Sequence, residues 1–148
     1  KEEPFDPIKE IGECIDYLVM FVEDKDRFDD FGELILCELA ALSIVEIMRM
    51  NGVDIKKKNV SRFREIANQM ADLYEKKNHD YGDSFGETFR KLGPISAITR
   101  ITDKYNRLVS LATKGEQQVN DEKLEDTLID LANYAVMTIM ELRAQSDN

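Results

Sequence analysis

Glu122, Asp126 and Asp130 recur every fourth residue in a segment whose other positions include Leu124, Leu128, Leu131 and Ala135. Four residues of α-helix turn about 400°, so each acid lies only about 40° from the one before. The three therefore line one face, with Asn133 at its far end. Carboxylates so placed repel one another unless a divalent cation or a basic side chain stands between them. Upstream, Arg100, Asp103, Lys104 and Arg107 follow at intervals of three, one and three. They share a helix face distinct from the apolar seam Ile98, Ile101, Tyr105 and Leu108. A ridge of Arg and Lys suits an oxyanion such as phosphate. Two arrangements satisfy both patterns. In one, the carboxylates hold Mg²⁺, which binds a polyphosphate, and the basic residues grip the phosphates. In the other, the two segments are antiparallel neighbours, Arg100 and Arg107 pair with Asp126 and Asp130, and no ligand is needed.

Between these segments and the N-terminal half lies Asn78-His79-Asp80-Tyr81-Gly82-Asp83-Ser84-Phe85-Gly86. It mixes aromatics, carboxylates and glycines without periodicity and reads as a loop. Loops of this kind often carry function, though its aromatics equally suit a helix connection that plugs a core. His79 is the only histidine, which excludes a multi-histidine metal site within one chain. A lone His in a polar loop more often faces solvent than does chemistry. The chain has no P-loop, GxGxxG, HExxH or GxSxG. Lys56-Lys57-Lys58 and Lys76-Lys77 read as solvated runs.

The elements that must position these residues are helices. Asp6-Pro7 opens the first, a capping Asp followed by Pro, and Ile8, Ile11, Ile15, Leu18 and Val22 continue it at helical spacing. Asp30 with Glu33 starts a second by a capping-box pattern. It runs to Asn51-Gly52, with apolar residues on most faces, and is therefore central. A third starts near Ser61 and ends near Asn78, with Phe63, Ile66, Ala67, Met70, Leu73 and Tyr74 as its stripe. Gly93-Pro94 opens a fourth, and Asp121 caps a fifth. No segment alternates as a strand does. The expectation is one all-α domain over 1–148, a bundle of four or five helices.

The chain has 148 residues, enough for one domain with a real core. Its 20 basic and 30 acidic residues give a net charge of −10, which argues against binding a nucleic-acid polymer or an anionic membrane. Hydrophobic residues, at 43%, are too many for a disordered chain. Cys14 and Cys37, both among apolar neighbours, read as buried free thiols. With no apolar signal core at Lys1-Glu2-Glu3-Pro4 and no run of about 18 apolar residues, the expectation is a cytoplasmic protein without a membrane span. Asn59-Val60-Ser61 matches the glycosylation triplet by chance in that setting.

Three segments together resemble a known family. Lys77-Asn78-His79-Asp80-Tyr81-Gly82-Asp83-Ser84 looks like the K-N-x-D-Y-G-x-S signature of the nucleotide modification associated domain 1 family. Arg100-Ile101-Thr102-Asp103-Lys104-Tyr105-Asn106-Arg107 resembles its R-x-x-D-K-x-x-R segment. Asp126-Thr127-Leu128-Ile129-Asp130-Leu131-Ala132-Asn133-Tyr134 resembles its D-T-x-x-D-L-A-N-Y segment. The resemblance covers residues 61–142 and leaves 1–58 as an N-terminal helical extension. The family is found in phages and bacteria and is associated by context with nucleotide and DNA-base modification.

Its helical layout is similar to the all-α nucleoside triphosphate pyrophosphohydrolases, the MazG and dimeric dUTPase group. Those enzymes hold Mg²⁺ with E-E-x-x-E and E-x-x-D helices and release a monophosphate and pyrophosphate. The resemblance thus implies a Mg²⁺-dependent, nucleotide-processing enzyme that works as a homo-oligomer, a dimer or tetramer. Asp130 matches the aspartate of E-x-x-D, while the preceding acid is displaced to Asp126. In place of E-E-x-x-E stand Arg100, Asp103, Lys104 and Arg107, of which only Asp103 is a candidate metal ligand. On this reading Glu122, Asp126, Asp130 and Asp103 hold the metal, and Asp126, Asp130 and Lys104 are catalytic. Arg100, Lys104 and Arg107 grip the phosphates, Asp80, Tyr81 and Asn133 contact base or sugar, and Lys77 also binds substrate. The alternative is a non-catalytic helical module, phage-derived, that binds a nucleotide or a protein partner through the same face.

Overall fold

The computed structural model describes residues 3–114 and 117–147, and of 117–122 the backbone alone. The described residues form six α-helices and no strand: α1 (Pro7–Phe21), α2 (Lys25–Met50), α3 (Val60–Tyr81), α4 (Ser84–Leu92), α5 (Pro94–Thr113) and α6 (Gln117–Ser146). The protein is all-α, as composition and periodicity require.

Several boundaries follow from the sequence signals. The Asp6 side chain accepts hydrogen bonds from the Ile8 and Lys9 amides, with Pro7 in the first turn. Pro94 opens α5 behind Gly93. Asn51 caps α2, and Gly52 turns the chain away at φ +74°.

Others differ from expectation. Helix α2 starts at Lys25, five residues before the anticipated Asp30, because Asp24 caps it by accepting from the Arg27 amide. Helix α6 starts at Gln117, so Asp121 lies within it and is not its cap. The segment 78–86 is not a loop. Helix α3 continues through Tyr81, Gly82 breaks it at φ +64°, and Asp83 caps a separate short helix, α4, by accepting from the Gly86 amide at 3.2 Å. An aperiodic composition concealed two helix ends meeting across two residues.

Helices α2 and α6 share the most extensive interface, and α1 lies on α2 while α5 lies on α6. Ile11, Leu18, Phe28, Leu36, Leu39 and Ile47 from α1 and α2 are fully or almost fully buried. They join Ile101, Leu108, Leu128 and Leu131 from α5 and α6 in one core. Helix α6 also meets α3 and α4, so it shares the central position expected of α2. Buried Ser43, Thr127 and Thr138 each donate their hydroxyl to the carbonyl four residues back, which satisfies them within their own helices.

Helix α3 contributes only Ile66 and Met70 to the buried core. Phe85 and Phe89 of α4 build a second, smaller cluster with Ala97 of α5, with Tyr134, Met137 and Leu142 packed against it. Cys14 is buried but Cys37 is exposed. Leu36, Leu39 and Ala40 take the core-facing side of α2, and Cys37 falls outside it, as do exposed Phe31 and Leu34. No helix among the described residues is long and apolar enough to cross a membrane.

Candidate functional site

The site forms where the ends of α3 and α4 meet the middles of α5 and α6. Lys104 and Arg100 are four apart on α5, and Asp130 and Tyr134 are four apart on α6. Their spacing stacks each pair on one helix face. Asp130 is largely buried, its side chain 15% exposed. Both its oxygens are taken: Oδ1 accepts from Lys77 Nζ of α3 and Oδ2 from Lys104 Nζ of α5, each at 3.0 Å. A carboxylate between two ammonium groups from different helices is a three-helix clamp. Lys77 stays about half exposed, so its share of the desolvation cost is reduced.

One turn along, Phe85 of α4 lies between the helices. Its ring stacks on Tyr134 with centroids 5.8 Å apart, and the Arg100 guanidinium stands 5.3 Å from its centroid on a cation–π contact. Arg100 also reaches the Thr88 hydroxyl at 3.5 Å. Among the described residues it faces no carboxylate. Asn133 donates from Nδ2 to the Met70 carbonyl at 3.1 Å, which ties α6 to α3.

Lys77, Arg100, Asp130 and Asn133 line a cavity of about 160 Å³, whose walls also include Tyr74, Tyr81, Phe85, Tyr134 and Met137. At its rim Asp83 pairs with Arg90 at 3.0 Å, and Arg90 reaches Glu141 at 3.4 Å. These two carboxylates close over Gly86, where a Cβ would come within 2.5 Å of an oxygen from each.

Thus the structure gathers Lys77, Tyr81, Arg100, Asp130 and Asn133 around one cavity, with Lys104 behind Asp130. It does not bring the other candidates there. Asp103, Arg107 and Asp126 are exposed, and none has an ion-pair partner among the described residues. Asp80 is exposed and meets only His79, at 3.4 Å. The side chain of Glu122 lies outside the described residues. The anticipated pairing of Arg100 and Arg107 with Asp126 and Asp130 does not form. Lysines take Asp130, because Lys104 lies opposite it on α5 and the extended α3 delivers Lys77.

The described acids Asp103, Asp126 and Asp130 do not converge on a metal. Among the described residues no three His, Cys, Asp or Glu side chains lie close enough to hold one. An ion at Asp130 would have to displace both lysines. The described donors therefore do not fit a resident Mg²⁺.

Tyr74, Phe85, Tyr134 and Met137 also line the cavity, beside Asn78, Gly82, Asp83 and Ser84, and carry no site role in the sequence reading. Periodicity alone places Tyr74 in an apolar stripe. Its position three residues before Lys77 on one helix face was the available signal, as was the placement of Tyr134 one turn after Asp130.

The fold and the cavity define an all-α domain with an aromatic-lined pocket in which Lys77 and Arg100 stand beside Asp83 and Asp130. The model of the family described as nucleotide modification associated domain 1 matches residues 77–142. The match begins at Lys77, so residues 61–76 lie outside it, and it spans a little under half of the chain. It includes all the cavity residues named above except Tyr74. No curated protein and no solved structure matches the chain.

Proposed function

We propose that this chain processes nucleotides and that the cavity between α3, α4, α5 and α6 binds a nucleoside phosphate. The observation that carries this reading is Arg100. It is a half-buried guanidinium on an aromatic wall, with no carboxylate among the described residues to neutralise it, in a chain of net charge −10. Such a group is suited to a phosphate, and the surrounding rings suit a base. The description of the matching family supports the same ligand class.

The enzymatic form of the proposal is pyrophosphohydrolysis of a nucleoside triphosphate, as the likeness to the MazG group suggests. Mg²⁺ then enters as part of the substrate, the metal complex of its phosphates. Lys104 and Asp130 act as a unit in which the carboxylate aims both lysines. A cytoplasmic homo-oligomer belongs to the same proposal, and a single gel-filtration peak at monomer size would count against the oligomer.

The test is incubation with Mg²⁺ and a panel of ribo- and deoxyribonucleoside triphosphates, with assay of monophosphate and pyrophosphate. Release of both from one or a few is the expected result. No release from any, with the protein folded, overturns the enzymatic form.

A further inference from the structure

The net charge is not spread evenly along the chain. Residues 1–50 hold 14 acidic and 5 basic residues, a balance of −9, while residues 51–148 hold 16 and 15 and are almost neutral. Nearly all of the −10 therefore belongs to the segment of α1 and α2, outside the residues 77–142 that the family model matches. The same two helices carry a row of exposed apolar side chains. Tyr17 and Met20 of α1 are 53% and 62% exposed, and Phe31 and Leu34 of α2 are 49% and 70% exposed. Phe21 joins the two helices into one row, its ring centroid 6.0 Å from that of Tyr17 and 6.0 Å from that of Phe31. Met20 and Leu34 each stand three residues after a ring of the row, and so beside it on the helix surface. Exposed Cys37 prolongs the row by a turn along α2.

Acids flank this row. Glu13 and Asp16 precede Tyr17 and Met20 by four residues, Asp30 and Glu38 stand four to either side of Leu34, and Glu23 follows Met20 by three. All five are exposed. None has an ion-pair partner among the described residues, because the described cations of this segment are already engaged. Lys9 pairs with Glu3, Lys25 with Asp29, Arg27 with Asp24 and Arg49 with Glu46. The rings themselves accept a cation, since the Arg27 guanidinium stands 5.8 Å from the centroid of Phe21.

We infer that this face docks a basic amphipathic helix of another protein, with apolar residues along one side and Lys or Arg flanking them. The apolar side lies on Tyr17, Met20, Phe31 and Leu34, and the flanking cations meet Glu13, Asp16, Asp30 and Glu38. This is the chemistry of a helix laid on a groove, anchored at i, i+3, i+4 and i+7. Charge selects this occupant over a second copy, because two such faces brought together would set acid against acid. The same acids repel an anionic membrane. Size agrees. Four large side chains with about 100 Å² showing on each present on the order of 400 Å², a patch of the kind that marks an interaction site when polar groups rim it. A standard stable interface between folded proteins takes about 800 Å² from each partner, so the row suits a single helix better than a second globule.

The test uses the full chain and a fluorescent peptide of about 18 residues, or five helical turns, made of leucine and lysine with the leucines on one helix face. Two control peptides accompany it, one of the same composition scrambled so that no apolar face forms, and one with glutamate in place of lysine. Anisotropy titration should show the basic amphipathic peptide binding at least tenfold tighter than either control. The double variant Met20→Ser, Leu34→Ser should lose at least tenfold in affinity with little change in melting temperature, because both side chains already face water. Glu13→Gln with Glu38→Gln should weaken binding several-fold and flatten its salt dependence. Bound peptide should also slow maleimide labelling of Cys37. Equal binding of the scrambled peptide would reduce the face to a charge effect and overturn the inference, and equal binding of the acidic peptide would overturn it too. So would binding that the serine variants leave unchanged, or no binding at all. A parent chain that sediments as a dimer and becomes a monomer in the serine variant would assign the face to a second copy instead.

Discussion

Lys104 of α5 and Asp130 of α6 are joined at 3.0 Å, and the other oxygen of the same carboxylate accepts from Lys77 of α3 at the same distance. Asp130 is 15% exposed and Lys104 is 30% exposed, so both are substantially withdrawn from water. Removing the charge of Asp130 alone leaves two ammonium groups facing one another. Asp130→Asn should therefore lower stability by about 1–3 kcal/mol, below the range for fully buried pairs because both lysines retain water. Thermal melts of the variant and parent check this. If the enzymatic proposal holds, the same variant loses turnover, because neither lysine is aimed. Unchanged melting and unchanged turnover together would remove Asp130 from both roles.

The pairing of α5 with α6 was legible because α5 carries strong periodicity, α6 is apolar on most faces, and charges of opposite sign stood on the two helices. Which cation meets which acid was not legible. Helical spacing places Arg100, Asp103, Lys104 and Arg107 on one ridge, yet the ridge is wider than the contact. Arg100 and Lys104 turn inward, whereas Asp103 and Arg107 stay in water. Lys77 was harder still, because its partner is 53 residues away and depends on α3 running past Asn78 to Tyr81. The break at Gly82 and the cap at Asp83 were hidden in an aperiodic stretch. The exposure of Cys37 likewise depends on which side of a helix with apolar residues on most faces meets α1 and α6.

Helix α3 is attached lightly, with Ile66 and Met70 its only buried residues. The hydrogen bond from Asn133 to the Met70 carbonyl and the ion pair of Lys77 with Asp130 are thus its polar tethers to α6. Asn133→Asp replaces a donor by a carboxylate oxygen facing a carbonyl, at almost the same volume. The expected loss is about 1–3 kcal/mol, the cost of a hydrogen bond converted to an unsatisfied contact. It should be read locally: amide hydrogen exchange should accelerate in residues 66–77 more than in α1 or α2. Uniform acceleration across all helices would show that α3 does not open separately.

The two cysteines make a direct check on the packing of α1 and α2. Burial pushes the Cys14 thiol up to about 12, with Glu38 and other nearby carboxylates adding to the shift. A thiol that is both protonated and inaccessible does not react. Cys37 is exposed on α2. A maleimide reagent at pH 7.5 should label the folded chain once, at Cys37, and twice after denaturation. Peptide mapping that finds Cys14 labelled in the folded chain would contradict the placement of α1 on the core.

Glu46 on α2 supplies the pH dependence. Burial raises its pKa above the ordinary carboxylate value; the Arg49 guanidinium, 2.8 Å away, opposes the rise only in part. The folded state therefore holds this proton more tightly than the unfolded chain. Its contribution to stability is fully present below the unfolded carboxylate pKa and is lost as pH rises through the folded one. Glu46→Gln keeps the shape and hydrogen-bonding reach of the side chain but cannot ionise. The melting temperature of the variant, measured relative to the parent, should therefore increase between pH 4 and pH 7. At pH 7 the variant should melt no lower than the parent, because relief from a half-buried charge offsets the lost pairing with Arg49. A variant that falls further behind the parent as pH rises would show that the Arg49 pairing outweighs the burial of Glu46.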